Sequence, residues 1–485
     1  MHKVWFLASE VAPFAKTGGL ADVAGSLPAC LKNLGVDVRV GLPFYRMAKD
    51  GNFETQKVLE GLEVPSGNTG LRCDVLETST QEGVPVYLFD REDLFDRQGL
   101  YGTPEGDYPD NLERFTCFCR AALLFAKKAG FQHDVVHCHD WQTGLIPAYL
   151  KTLYKTDSFF SGVSSVFTIH NMGYQGLFPS DNLSTCGIPI SELHPEGIEY
   201  WNQISLLKAG IMYADAVTAV SPRYSRDIQT PEFGMGMHDI LRKRSADLYG
   251  ILNGVDYAVW DPDRDSYVTA NYSPRKMAGK RRCKEALIQE MGLDPTLGKR
   301  PVLGMISRLD TQKGLDLLVQ ILDELLALEV GLVVLGSGEE GIQKAIQEAA
   351  EHHPGCLGLK IGFDEPLAHR IMAGIDMLLV PSRYEPCGLT QIYALKYGAV
   401  PIVRATGGLD DTIDAFDPGS GEGTGFKFSD YEAKAFLDKI REALEVFEDR
   451  PGWMKLIESG MRADFSWEKS AREYVSLYEK VVESP

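Results

Sequence analysis

The N-terminal stretch reads Lys3-Val4-Trp5-Phe6-Leu7-Ala8-Ser9-Glu10 and continues Val11-Ala12-Pro13-Phe14-Ala15-Lys16-Thr17-Gly18-Gly19-Leu20. An apolar run with β-branched and aromatic residues ends at a polar pair. A proline breaks the loop that follows, and a lysine stands just ahead of two glycines where a helical pattern begins. This is the order of a buried strand, a loop and a helix. In open α/β sheets, ligands bind beyond the carboxyl ends of the strands. Paired glycines let the backbone approach a phosphate, a helix N-terminus offers N–H groups, and a lysine adds a point charge. The loop lacks the Walker A pattern and the GxGxxG spacing of a dinucleotide fold. By itself it reads equally well as a glycine turn beside a solvated lysine, so its meaning rests on the rest of the chain.

Working outward, short apolar strands alternate with longer amphipathic stretches, the α/β signature. The pattern predicts strands near Val4–Ser9, Val36–Leu42, Val84–Phe89, Val135–His139, Val163–Ile169, Ala216–Ser221 and Leu248–Leu252. A helix fits Leu20–Leu34, with Gly35 where a C-terminal cap belongs. A second series begins near Pro301, with strands at Val302–Ser307, Leu332–Leu335, Leu357–Ile361, Met377–Pro381 and Val400–Arg404. Its helices fit Leu315–Leu328, Glu340–His352, Leu367–Ala373 and Leu389–Tyr397. Between the series lies Asn253–Lys284, rich in Asp, Pro and Tyr and then basic, which places a hinge around Gly250–Asn253. Trp467–Val482 is an isolated amphipathic helix after the second series, expected to pack back on the first domain. The organisation is two Rossmann-like domains in tandem, 1–252 and 253–465, plus the terminal segment 466–485. A deep cleft between two such domains is a natural site for a sugar nucleotide and its acceptor.

Length and composition agree. A chain of 485 residues is too long for one ordinary core, and 44% hydrophobic with 24% charged residues is a globular mix. The formal net charge of −19 argues against nucleic acid and anionic membranes as partners, so an anionic ligand needs a local basic pocket. Nine scattered cysteines suit a reduced, cytoplasmic protein rather than a disulfide framework. Glu10 and Pro13 interrupt the first apolar run, which fits a buried strand better than a signal peptide. No stretch has the ~20 apolar residues of a membrane helix.

Several turns carry chemistry. In Ser307-Arg308-Leu309-Asp310-Thr311-Gln312-Lys313-Gly314-Leu315, Arg308 ends a strand and Lys313 precedes a helix. Two cations flanking one strand-to-helix turn are placed to converge on a diphosphate. In Pro381-Ser382-Arg383-Tyr384-Glu385-Pro386-Cys387-Gly388-Leu389-Thr390, Glu385 is fixed between an aromatic and a proline, and Gly388 to Thr390 open a helix. Thr406-Gly407-Gly408-Leu409 again sets paired glycines after a strand. His137-Cys138-His139-Asp140-Trp141 ends a strand. Its alternation puts His137 and His139 on one face and Cys138 on the other, and no partner cluster at metal spacing appears. Asp140 at the strand end suits a sugar hydroxyl, and His170-Asn171 ends another strand in the same way. Two motifs mislead. Gly336-Ser337-Gly338-Glu339-Glu340-Gly341 is a literal GxGxxG with Asp364 downstream, but two glutamates at the helix N-terminus oppose a pyrophosphate. Asp261-Pro262-Asp263 mimics a metal-binding Asp-x-Asp yet lies in a Pro/Tyr/Asp linker and reads as a turn.

As a set, Lys16-Thr17-Gly18-Gly19-Leu20, His139-Asp140-Trp141, Thr168-Ile169-His170-Asn171, Asn253-Gly254-Val255-Asp256, Ser307-Arg308-Leu309 with Lys313-Gly314, Tyr384–Thr390 and Thr406–Leu409 resemble the bacterial glycogen/starch synthases, in order and over nearly the whole chain. The resemblance implies a GT-B fold with two Rossmann-like domains facing across a cleft, and no required metal or cofactor. It also implies retaining transfer of glucose from ADP-glucose to the non-reducing end of an α-1,4-glucan such as glycogen. By position, Lys16, Gly18 and Gly19 would meet the donor phosphates, and Arg308 and Lys313 the leaving diphosphate. Glu385 would bind the donor glucose, with Cys387, Gly388, Leu389, Thr390, Gly407 and Gly408 beside it. Asp140, His170 and Asn171 would line the glucosyl and acceptor side, and Asn253 would sit near the hinge. The wider retaining GT-B superfamily has a second Glu eight positions after the first; here that position is Tyr393. Retention suggests a paired nucleophile and acid, but no close carboxylate pair emerges, which favours a front-face transfer in which the departing phosphate helps deprotonate the acceptor. The alternatives are another retaining nucleotide-sugar glycosyltransferase (a sucrose or trehalose-phosphate synthase relative), an NAD-dependent oxidoreductase resting on the Gly336 loop, or a glucan-binding scaffold.

Overall fold

The computed structural model describes residues 2–66, 69–103 and 105–483. Met1 and the pair Ser484-Pro485, at the outer ends of the expected domains, lie outside the described residues. The chain divides into two compact units, Met1–Gly254 joined by Trp467–Pro485, and Val255–Ser466.

The sheet of the first unit has nine strands among the described residues, running Leu248–Gly250, Ala216–Ala219, Ser164–Ile169, Val135–His139, Lys3–Leu7, Asp37–Pro43, Pro85–Asp90, Thr69–Ser79 and Gln56–Ser66. The first seven are parallel; Thr69–Ser79 and Gln56–Ser66 add antiparallel pairings at one edge. Lys3–Leu7 lies at the centre because Val4 to Leu7 are all fully buried, as a strand covered on both faces requires. Trp5 packs edge-on to Tyr87 and Phe131, at ring-centre distances of 5.7 and 6.1 Å. The helix Gly19–Asn33 follows its loop, and Gly35 closes it at φ +91°.

The antiparallel edge pair is a feature the sequence pattern did not predict. Its register shifts between Lys57 and Leu59 and again between Leu59 and Leu62. Such bulges break the period of two by which a strand is recognised.

The second unit holds six parallel strands in the order Leu357–Ile361, Gly331–Gly336, Val302–Ile306, Met377–Val380, Val400–Arg404 and Phe426–Phe428. Numbered along the chain this is 3-2-1-4-5-6, the doubly wound order. Val302–Ile306 and Met377–Val380 are neighbours at the point where the order reverses. The loops after these two strands are the Arg308–Lys313 turn and the Ser382–Thr390 turn. In the first unit the reversal falls between Lys3–Leu7 and Val135–His139, which are followed by the Glu10–Gly19 loop and by Asp140. Both units therefore bring their candidate residues to the crevice position of an open sheet.

Gly336-Ser337-Gly338 packs against the Arg308 turn. A Cβ on Gly336 would lie 1.9 Å from the carbonyl oxygen of Ser307, and one on Gly338 2.3 Å from that of Leu309. These glycines serve backbone packing, which explains the GxGxxG without a dinucleotide. Asp261-Pro262-Asp263 forms a turn in which Asp261 Oδ1 accepts the Asp263 N–H at 3.2 Å.

The last described helix, Trp467–Glu483, packs on the first unit. Ser470 donates to the carbonyl of Leu252, Ser164 to that of Val481, and the Tyr478 hydroxyl lies 2.7 Å from His137 Nδ1.

Candidate active site

In the first unit, Glu10 is the residue that shapes the Lys16 loop. Its carboxylate is 4% exposed. It accepts from the Thr17 N–H at 2.5 Å, the Thr17 hydroxyl at 2.7 Å, the Gly18 N–H at 3.1 Å and the Tyr101 hydroxyl at 2.7 Å. The Gly18 N–H, in the loop expected to meet the donor phosphates, is engaged by Glu10. Gly18 and Gly19 still leave the loop open, since a Cβ on either would meet nothing within 4 Å. Lys16 pairs with Asp22 at 2.6 Å on the surface. Glu10 was legible in the sequence only as a polar residue interrupting an apolar run.

Asp140 follows Val135–His139 in a left-handed conformation, φ +55°, rare for a residue other than glycine. Its Oδ1 accepts the His170 N–H at 2.7 Å, so the ends of two neighbouring strands are tied by one carboxylate. Burial pushes the Asp140 carboxyl up to about 7; the N–H groups of His170 and Asn171 oppose this and the Glu10 charge adds to it. The buried group is thus poised to exchange a proton or accept a hydrogen bond near neutral pH. His170 Nε2 lies 2.9 Å from His139 Nδ1, and burial pulls His170 down to about 3, so it stays neutral. His137 and His139 share a face, with ring centres 4.2 Å apart. His137 is held between Tyr478 and the Thr168 hydroxyl, each 2.7 Å away, and burial keeps it and His139 well below the ordinary histidine range. These two rings are packing residues. Asn171 turns its Oδ1 onto the Gly173 N–H at 2.9 Å. Asn253 is 5% exposed, and its Oδ1 has no hydrogen-bond partner among the described residues, an arrangement that calls for one. No group of three or more His, Cys, Asp or Glu side chains among the described residues is arranged to hold a metal ion.

In the second unit, Lys313 Nζ sits 2.6 Å from Glu385 Oε2, and the Ser382 hydroxyl donates to the same oxygen at 3.1 Å. The side chains of Lys313 and Glu385 are 21% and 9% exposed. Arg308 does not share this partner: it pairs with Asp310 at 2.7 Å and donates to Gln312 at 2.8 Å. The two cations thus have separate protein partners: Arg308 is held within its own turn, whereas Lys313 reaches across to Glu385 on the neighbouring loop. Lys313 remains oriented from both ends, since its N–H donates to Asp310 Oδ1 at 3.0 Å.

The Gly407-Gly408 pair acts through Glu385. Gly407 has φ +46°, and a Cβ there would lie 2.0 Å from the Glu385 carbonyl oxygen; one on Gly408 would lie 2.1 Å from that of Cys387. The Gly408 N–H donates to the Glu385 carbonyl at 3.0 Å. Only residues without a Cβ allow the two loops to touch in this way. Gln391, fully buried and not foreseen, completes the frame by donating to the carbonyls of Cys387 and Gly388 and to the Thr412 hydroxyl. Cys387 is buried, Gly388 turns at φ +71°, and Leu389 and Thr390 start the short helix Thr390–Lys396.

The family described as "Starch synthase catalytic domain" matches residues 3–243, and "Glycosyl transferases group 1" matches 294–454. A glycogen synthase of Koribacter versatilis is 47% identical over 480 residues, covering 99% of this chain and 98% of the relative. Glycogen synthase 2 of Geobacter metallireducens is 45% identical, with 98% of each chain covered. The chain belongs to the bacterial glycogen synthase family. It is a glycosyltransferase of the GT-B class. Among solved structures, the catalytic domain of Starch Synthase IV from Arabidopsis thaliana, bound to ADP and acarbose, matches with a TM-score of 0.92 at 32% identity, covering 99% of both chains. A sucrose-phosphate synthase from Thermosynechococcus elongatus matches with a TM-score of 0.60 at 16% identity, a likeness of fold alone. No described helix of this glycogen synthase family member is long and apolar enough to cross a membrane.

Proposed function

We propose that this chain transfers glucose from ADP-glucose to the non-reducing end of an α-1,4-glucan with retention, lengthening glycogen. The observation that carries the reading is the Lys313–Glu385 ion pair at the switch point of the second sheet. It fixes a cation and a carboxylate where a nucleotide sugar binds in such a sheet. Cleavage of the glycosidic bond builds positive charge on the sugar and negative charge on the departing diphosphate. Lys313 and Arg308 stabilise the second. Glu385, its backbone braced by Gly407 and Gly408, orients the donor glucose, with Cys387, Gly388, Leu389 and Thr390 framing it. Lys16 and Gly19 act on the donor phosphates. Asp140, with His170 and Asn171, takes a sugar hydroxyl, and Asn253 offers its unsatisfied oxygen to the ligand. The ADP preference is supported by the ADP in the Arabidopsis relative's structure. The nine cysteines are all free, which supports a reducing, cytoplasmic setting.

The test is incubation with ADP-glucose or UDP-glucose plus glycogen, measuring nucleotide released and glucose incorporated. Release of ADP, dependent on glycogen and stronger than release of UDP, is expected. No incorporation from either donor would refute the reading.

A further inference from the structure

Away from these residues, the first unit carries a small antiparallel sheet, Leu177–Pro179, Gln203–Ser205 and Glu199–Tyr200. Tyr200 pairs with Gln203, so Trp201 and Asn202 form a two-residue turn. Both are left-handed, at φ +52° and +61°. A turn of this shape favours Asn-Gly or Gly-Gly, and a tryptophan in it is strained. The indole is nonetheless 79% exposed, so the strain is not offset by burial.

The turn is rigidly held. Glu199 Oε1 accepts the Asn202 N–H at 2.8 Å. Lys208, 2% exposed, donates to the carbonyls of Pro195 and Glu199 at 2.6 and 2.5 Å. The Tyr200 ring stands edge-on to Trp201, with centres 6.4 Å apart. Together Pro195, Glu199, Tyr200, Trp201, Asn202 and Lys208 line a pocket of about 320 Å³. An outward ring beside amide and carboxylate groups suits a ligand with apolar faces and hydroxyl edges, which is a sugar ring. The net charge of −19 disfavours an anionic ligand.

This sheet leads back to the acceptor-side residues. Phe178 packs on Trp141, the neighbour of Asp140, at 5.9 Å between rings. Tyr174, 54% exposed, stands on the segment between Asn171 and the sheet, and Leu177, 41% exposed, opens the sheet's first strand.

We propose that the Trp201 turn is a second binding site for the polymeric acceptor, an aromatic platform that holds a neutral α-glucan away from the reacting end. The proposal rests on the glucan-elongating reading above. Holding a polymer at two points raises the effective concentration of its free end. Trp201→Ala and Trp201→Gly test it, the glycine variant relieving the positive φ so that the fold is retained. Mobility in native gels containing glycogen, and KM for glycogen and for maltotriose, are measured for each. In both variants the glycogen retardation is expected to fall and the KM for glycogen to rise about five- to tenfold, with the KM for maltotriose and ADP-glucose unchanged. Unchanged glycogen retardation and KM overturn the proposal. So does a concentration-dependent oligomer that both variants abolish while glycogen binding persists, which makes the turn a contact between copies. Retardation of the wild type needs no donor, so it separates failure of this site from failure of the transferase reading, which shows as absent ADP release.

Discussion

Removing the Lys313–Glu385 pair one partner at a time should separate what it does for the fold from what it does for catalysis. At 2.6 Å the Coulomb attraction is about 6 kcal/mol for an effective dielectric of 20. Desolvation takes back most of that. Exposed pairs net under about 1 kcal/mol, whereas breaking a buried pair costs about 3–5 kcal/mol. With side chains 21% and 9% exposed, this pair falls between, and a coupling of about 2 kcal/mol is expected. For a unit of this size that is ~4–8 °C in Tm. Lys313→Met should be the more damaging single change, because it strands the more buried partner, Glu385, with only the Ser382 hydroxyl. Glu385→Gln leaves a cation that reaches solvent more easily. The double variant should regain part of the lost Tm, while its rate stays down by ~10² or more, because the group facing the leaving diphosphate is still missing. Thermal unfolding and ADP release from the four proteins measure both effects. Strictly additive Tm changes would show that the pair contributes nothing to the fold, and a double variant with near wild-type rate would falsify the assignment of Lys313 to the leaving group.

Asp140 holds its proton more tightly folded than unfolded, with a carboxyl pushed from 3.8 to about 7. Its ionisation therefore costs nothing below about pH 4 and burdens the fold increasingly up to about pH 7. Asp140→Asn should leave Tm unchanged at pH 4, raise stability by up to about 4 kcal/mol at pH 8, and lower kcat; a pH-independent Tm difference would contradict the shift. Gly407→Ala must place a Cβ 2.0 Å from the Glu385 carbonyl oxygen at φ +46°. It should cost ~2 kcal/mol or more and reduce kcat through Glu385, whereas a variant with wild-type Tm would show the loop contact to be loose. Glu10→Gln should raise the KM for ADP-glucose more than that for glycogen, read from initial rates, since Glu10 holds Thr17 and Gly18 beside Lys16.

The strands and their loops were legible because parallel strands covered on both faces are continuous apolar runs. Val135–His139 and Val400–Arg404, buried throughout, run in the structure over the residues the pattern predicts. What escaped was of two kinds. The edge strand Gln56–Ser66 loses its period to bulges, its neighbour Thr69–Ser79 went unread beside it, and Phe426–Phe428 is too short to show one. The supports of the site, Glu10, Ser382 and Gln391, are single polar residues whose meaning lies in partners brought together by the fold. Ser382 and Glu385 are three residues apart, but Gly408 reaches Glu385 only because the strands before the two loops are neighbours. The Gly407-Gly408 pair was visible as a loop of interest, yet its close approach to the Glu385 backbone appears only in three dimensions.

The return of the chain to its first unit bears on how the protein is made. A nascent chain leaving the ribosome presents residues up to Gly254 first, but without the helix Trp467–Glu483 that meets His137 and Ser164. Val255–Ser466, by contrast, is contiguous and has all its strands in hand as it emerges. At the usual 5–20 residues per second, that stretch takes roughly 10–40 s to translate. Through that interval the earlier-born unit waits incomplete, and the later-born unit can finish before it.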